Sequence, residues 1–481
     1  MLEKDTLSLL RDALGTMERA QDPLPAFAET SCDPRAIADV LCDVAVRLGS
    51  DYPFFHPLYA GQMQQPPHPV ARLAYALALW TNPNAHSSGG GRASAQMERE
   101  AVAQVARMFG WSRFAGHLCG GGTIANAEAL WVASRRRPGA GIVASDQAHY
   151  CHARTSRALG LRFESLASDR ALRLDTAALA ARLARGGIGV VIATLGTTAS
   201  GSSDAIAELL ALRERYGFWL HVDASYGGYF GLAHNLDVTT GAAFERIGEV
   251  DSIVIDPHKH GLQPYGCSCV LFRDPGDGRF FRQRSPCTES PTTTAAREIG
   301  FECSRPGAAA VALWATMRLL PLSKDGRFAA MLDAARAAAV ALDRRLRDDG
   351  RFVAGPPPDL DVVVWTIAAA SAEEASANAR HVLDECARQN LHLSLVDLPR
   401  RALAVPDRLA WRDARVACLR CVLMKPSHAA WVDTIFRVVC ESTAAVVERS
   451  RQDQKSAQRV RAQAVRVPRP AGRRRSGVAT R

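Results

Sequence analysis

The sequence predicts an α/β protein, with a large domain on a mostly parallel sheet and a smaller α+β domain after it. Three observations predict this. First, short apolar runs (Leu118, Ile142-Val143, Val190–Ala193, Trp219–Val222, Ile253–Ile255) alternate with helical stretches, as strands covered on both faces by helices do. Second, each run stops at a polar or glycine-rich cluster, and in such a sheet those clusters gather along one carboxyl edge. Third, an Ala-rich helix over 308–319 leads to a unit with long helices around 327–345 and 374–389 and strands near 362–365 and 417–424.

The 481 residues suffice for two domains, and 47% apolar with 22% charged residues is ordinary for a globular chain. No apolar run approaches the roughly 18 residues of a membrane span. The charged start Met1-Leu2-Glu3-Lys4-Asp5 lacks the apolar core of a signal peptide, so a cytoplasmic location is expected. The net charge of +10 sits almost wholly at one end: residues 451–481 hold ten Lys or Arg against the single acid Asp453. The basic balance therefore describes a tail and excludes a nucleic-acid-binding fold as its cause. That tail, poor in long apolar side chains, is expected to be disordered. The twelve cysteines are scattered, so no disulfide framework is implied. Cys418-Leu419-Arg420-Cys421 has redox or half-zinc spacing, but apolar neighbours make it a buried strand. No metal site is expected.

Taken in order, residues 1–90 form a helical arm. It opens with an amphipathic helix over 7–17, continues through a Pro-broken segment, and returns to helix over 71–79. Its aromatic stretch Tyr52-Pro53-Phe54-Phe55-His56 lacks helix or strand period and suits an arm laid on a second subunit. Residues 91–324 make the large domain, starting with a helix from about Ser94. Residues 325–449 make the small domain, and 450–481 the tail.

The chemistry lies at the strand ends. Ser252–Ile255 reads as a buried strand that Pro257 stops, delivering His258 and Lys259 at the carboxyl edge. A lysine there is costly unless paired or chemically used. Gly120-Gly121-Gly122-Thr123 sits where a loop becomes a helix, an arrangement of backbone N–H groups that cradles an anion. Asp223 ends an apolar strand, where it either caps the next turn or faces a cation such as a protonated heteroaromatic nitrogen. His149 is either a satisfied core histidine or a flat ring stacked on a flat cofactor. A phosphate cradle, a buried acid, an imidazole and a strand-end lysine together are what pyridoxal phosphate requires.

At these residues the chain resembles the pyridoxal-phosphate-dependent group II amino-acid decarboxylases, which include aromatic amino-acid, tyrosine and glutamate decarboxylases and share the fold-type I architecture. The likeness runs from about His56 to Pro426. Asp256-Pro257-His258-Lys259 is similar to the family's Schiff-base motif. His221-Val222-Asp223-Ala224-Ser225-Tyr226-Gly227-Gly228 resembles its pyridinium-binding strand, and Ser145-Asp146-Gln147-Ala148-His149 its ring-stacking segment. The resemblance implies Lys259, His149 and Asp223 as catalytic residues. It implies cofactor contacts from Gly121, Gly122, Thr123, His149, Thr198, Asp204, Asp223, Ser225, Asp256, His258 and Lys259. It also implies loss of carbon dioxide from an L-amino acid, aromatic substrates first, and a homodimer with shared active sites. The reactive lysine is expected to be a neutral amine, its pKa lowered by burial and nearby cations.

Two features qualify this. Arg420 matches a position where glutamate-type members hold a substrate carboxylate; a structural ion pair between domains is the plainer role. Relatives carry a mobile loop whose Tyr returns a proton to the substrate carbon, yet no Tyr occurs between Phe280 and Trp314. Without that donor, decarboxylation can be diverted towards oxygen and an aldehyde. A non-catalytic scaffold of this fold with a basic tail is the alternative from a different class.

Overall fold

The computed structural model describes residues 4–21, 33–85, 90–281, 300–406, 409, 411–412 and 415–465. The large domain is built on seven strands: β1 (Ala115–Cys119), β2 (Gly141–Ser145), β3 (Phe163–Leu166), β4 (Ile188–Thr194), β5 (Trp219–Asp223), β6 (Ser252–Ile255) and β7 (Ser268–Phe272). Their order across the sheet is β1-β7-β6-β5-β4-β2-β3. β7 runs antiparallel to both its neighbours, and the pairs from β6 through β3 are parallel. The predicted mostly parallel sheet is therefore present. β2, β5, β6 and β7 are buried along their whole length, as continuous apolar runs require when helices cover both faces.

The small domain holds β8 (Phe352–Ala354), β9 (Val362–Ile367), β10 (Ser394–Pro399) and β11 (Arg415–Val422) in the antiparallel order β10-β11-β9-β8. Helices Arg327–Asp348, Ala372–Arg388 and Val432–Val465 accompany them. Cys418 and Cys421 both lie buried in β11. An odd spacing on a strand turns them to opposite faces, so one packs in the inter-domain core and the other in the small domain's own core.

Two expectations need correction. The Pro-broken segment contains a helix, Pro34–Leu48, capped by Asp33, whose side chain accepts from Arg35 N, with Pro34 in its first turn. None of its residues is buried, and Ile37, Val40, Leu41 and Val44 are exposed. The last helix also continues to Val465, beyond the residue-450 boundary expected to begin disorder. Its Ala, Gln and Arg content is of high helix propensity. Residues 466–481, and the loop 284–294 that lacks Tyr, lie outside the described residues. No helix among those described is long and apolar enough to cross a membrane.

Candidate functional site

The parallel strands β2, β4, β5 and β6 end at one edge, and the segments that follow them line a cavity of about 180 Å³. Around it stand Met63, Gly122, Thr123, Asn126, His149 and Cys151 on one side. Thr194, Gly196, Thr198, Asp223, Ser225, Tyr226, Asp256, His258 and Lys259 complete it. Gly196 adopts φ +89°, and a Cβ there would come within 3.0 Å of Gly227 N and of the Tyr226 ring. Only glycine turns the chain out of β4 at that point without strain.

Lys259 follows the Pro257 break. Its Nζ lies 3.0 Å from Asp256 Oδ2, whose other oxygen accepts from Ser268 Oγ at 2.6 Å. Burial disfavours the ammonium, but Asp256 and Asp223 outweigh it and raise the lysine pKa. This corrects the expectation of a lowered value: the groups facing the amine are acids. His258 holds the Cys267 carbonyl through Nδ1 at 2.7 Å. Burial of Asp223 would push its carboxyl up, yet hydrogen bonding and charge from His152, the Ser225 amide and Lys259 hold it well below the usual range.

His149 lines the cavity with Nδ1 accepting from Cys151 N at 3.2 Å, and burial lowers its pKa. Helix Gly122–Arg136 begins at the cavity wall without a side-chain cap, so its first amides face an anion site. A Cβ on Gly122 would stand 2.8 Å from Asp256 Oδ2, which explains glycine there.

Not every expected residue reaches the cavity. Gly121 is the cap of the helix behind Gly122. Asp204 is fully buried and turned away, with its oxygens accepting from Leu174 N at 2.6 Å and Thr194 N at 2.7 Å. It secures the β4 turn, which corrects the cofactor contact that the resemblance implied. Arg420 is absent from the lining. Its Nε donates to Ser394 Oγ and its Nη2 to Gly61 O, each at 2.9 Å, and Nη1 donates to Thr198 O. It ties the small domain, arm and large domain together.

Sequence reasoning missed His152, Asn126, Met63 and Tyr226. His152 lies on helix Cys151–Ala158, just past the turn that carries His149. Tyr226 Oη donates to Asp361 Oδ1 at 2.6 Å, and His260 Nε2 lies 2.8 Å from the other oxygen of that acid. Separately, His117, Cys119 and Glu128 bring ligand-type atoms within 4.8 Å of one another. The His117 Nε2–Glu128 Oε2 distance of 2.6 Å is a hydrogen bond, with a proton where an ion would have to sit.

These residues fit pyridoxal phosphate. The buried hydroxyls Ser225 Oγ and Thr194 Oγ1 have no hydrogen-bond partner among the described residues, and both belong to the cavity wall beside an uncapped helix start, a carboxylate and a lysine. Gly122, Thr123 and Ser225 would hold its polar groups, Asp223 its ring nitrogen and Lys259 its aldehyde carbon.

Residues 139–365 match the pyridoxal-dependent decarboxylase conserved domain. A probable L-tyrosine/L-aspartate decarboxylase of Methanothrix thermoacetophila is 32% identical over 307 residues, covering 62% of this chain and 74% of the relative. One from Methanothermobacter thermautotrophicus is 30% identical over 316 residues, covering 63% and 82%. Among solved structures, mouse CSAD aligns with TM-score 0.73 at 19% identity over 89% of this chain and 92% of that one. Oryza sativa TDC with PLP and tryptamine aligns with TM-score 0.71 at 19% identity over 92% and 96%.

Proposed function

Because the chain belongs to the pyridoxal-dependent decarboxylase family, we propose that it removes the α-carboxylate of an L-amino acid, aromatic ones such as tyrosine favoured, and releases the amine and carbon dioxide. The cofactor is pyridoxal phosphate and the reaction class is carboxy-lyase. The observation that carries the reading is the single cavity shared by Lys259, Asp223, His149 and the uncapped helix at Gly122. Bound, the cofactor supplies an electron-poor ring that takes up the electrons left when carbon dioxide departs.

The chain's own residues prepare that chemistry. Lys259 Nζ, held at the cavity wall by Asp256, becomes the amine for covalent attachment once its ammonium gives up a proton. Asp223 keeps a proton on the ring nitrogen by staying ionised beside it. The helix start at Gly122 and Thr123 receives the phosphate through backbone amides. His149, whose Nδ1 accepts from Cys151 N, carries its exchangeable proton on Nε2 and hands it on within the cavity. Burial of the strand ends keeps water from competing. The tyrosine and aspartate named for the curated relatives, and tyrosine for a decarboxylase of Enterococcus faecium, support an amino-acid substrate. Met63 and Tyr226 in the wall favour an aromatic one.

The working unit is a homodimer, because the exposed apolar residues Ile37, Val40, Leu41 and Val44 find no cover among the described residues of their own chain. One observation favours a second reading: the stretch from Phe280 to Trp314 has no Tyr. On that reading dioxygen and water are consumed and the products are aldehyde, ammonia, hydrogen peroxide and carbon dioxide. Holoenzyme incubated separately with each of the twenty amino acids distinguishes the two. Equal carbon dioxide and amine from an aromatic substrate is expected. Peroxide matching carbon dioxide selects the second reading, and no carbon dioxide from any amino acid refutes both.

A further inference from the structure

His152 belongs to none of the expected motifs. It is fully buried on helix Cys151–Ala158, with Nε2 at 2.9 Å from Asp223 Oδ2. An ionised carboxylate only accepts, so this nitrogen carries the hydrogen. A second line of donors ends on the same oxygen. Trp219 Nε1 donates to Ser252 Oγ at 3.0 Å, and Ser252 Oγ lies 2.9 Å from His221 Nδ1. His221 Nε2 lies 2.9 Å from Asn126 Oδ1, and Asn126 Nδ2 donates to Gly122 O at 2.9 Å and Asp223 Oδ2 at 3.3 Å.

The directions in this line are forced. Asn126 Nδ2 faces two acceptors, so its Oδ1 faces His221 and must receive the Nε2 hydrogen. Burial pushes His221 down to about 3, leaving a neutral ring. Its Nδ1 then accepts from the Ser252 hydroxyl, whose oxygen accepts in turn from Trp219. Every donor points towards Asp223, and bonds aligned in this way polarise one another.

The count at Asp223 is equally specific. A carboxylate offers about four acceptor positions. Ser225 N takes one on Oδ1 at 3.1 Å, while His152 and Asn126 take those on Oδ2. Among the described residues, one position on Oδ1 is left.

We propose that His152 is a positioning residue: with the donor line from Trp219, it fixes Asp223 as an oriented carboxylate that keeps one acceptor position for the cofactor's protonated ring nitrogen. The site is thus charged and aimed before the cofactor arrives. The proposal rests on the pyridoxal phosphate assignment. The other titratable groups that interact with Asp223 are Lys259 from the strand end, His149 and Cys151 from the segment after β2, and His221 from its own strand.

The test compares wild type, His152→Phe and His152→Gln. Apoenzyme is titrated with pyridoxal phosphate by equilibrium dialysis, and the visible absorption of each holoenzyme is followed against pH. His152→Phe is expected to weaken cofactor binding about tenfold or more, the weight of one charge-assisted hydrogen bond. The pH midpoint of the absorption change moves upward, because a carboxylate without its donor draws the proton off the ring nitrogen. His152→Gln restores a donor and moves both readouts back towards wild type. Unchanged affinity and midpoint in His152→Phe overturn the proposal, as does a Gln variant as impaired as Phe. If the Phe variant does not fold, Ser252→Ala decides by breaking the line at its third link from Asp223, and an unshifted midpoint there overturns it. A wild-type chain that binds no cofactor removes the premise itself.

Discussion

Arg420→Lys separates two roles for a buried guanidinium. In the structure Arg420 is 5% exposed and spends its three nitrogens on Ser394 Oγ, Thr198 O and Gly61 O. A lysine ammonium keeps the charge but cannot span acceptors held in a fork geometry. It reaches one and leaves two buried oxygens without a donor. Each lost hydrogen bond to a charged group is worth about 1.5–3 kcal/mol, so the variant should lose roughly 3–6 kcal/mol. Spread over 481 residues, that lowers Tm by about 3–6 °C. The assay is a thermal melt of wild type and variant at saturating pyridoxal phosphate, which holds the ligand contribution constant, paired with steady-state kinetics. An unchanged Tm with KM raised tenfold or more would refute the reasoning and return Arg420 to the substrate-carboxylate role.

Other outcomes follow from the same geometry. Lys259→Ala should abolish the borohydride-reducible attachment of cofactor, read by intact mass after hydride treatment; an adduct retained elsewhere contradicts the assignment. Asp223→Asn should cut kcat by about 100-fold or more while bound cofactor, measured by absorbance, falls far less. Glu98→Ala strands Arg305, its partner at 2.8 Å in a nearly inaccessible pair, and should cost about 3–5 kcal/mol in urea unfolding. Burial lowers Lys425 to about 8, so the unfolded chain binds the extra proton between about pH 8 and 10.5. Stability relative to Lys425→Met should therefore rise over that window, by up to about 3 kcal/mol, in denaturation curves at pH 7.5 and 10.5.

The strand ends were legible because their code is local. Pro257 stops a strand, Gly122 opens a helix, and Asp223 closes an apolar run, each within a few residues. Helix Pro34–Leu48 was also written locally, in Asp33 and Pro34, but the surrounding prolines masked that signal. Asp204 and Arg420 were misplaced because the same side chains serve a cavity or its wall equally well, and only the packing of β4 and β11 decides. The acids around Lys259 reversed its expected shift, since Asp256 faces it across a single turn. His152 and Asn126 became partners of Asp223 only when β5 was set beside two helices, an adjacency no spacing encodes.

The clasp on residues 57–61 has a consequence for how the molecule is made. Ala60 N donates to His392 O, Val422 N to Ala60 O, Arg420 to Gly61 O and Lys425 Nζ to Tyr59 O, while His428 Nε2 bonds Pro57 O. The Lys425–Tyr59 contact joins positions 366 residues apart. During synthesis the early segment therefore has no partner until the ribosome has released nearly the whole small domain. Met63, just past that clasp, forms part of the cavity wall. A nascent chain truncated before residue 428 should thus carry a complete parallel sheet beside an unfinished pocket, and arrest at that length would expose the aromatic arm to chaperones.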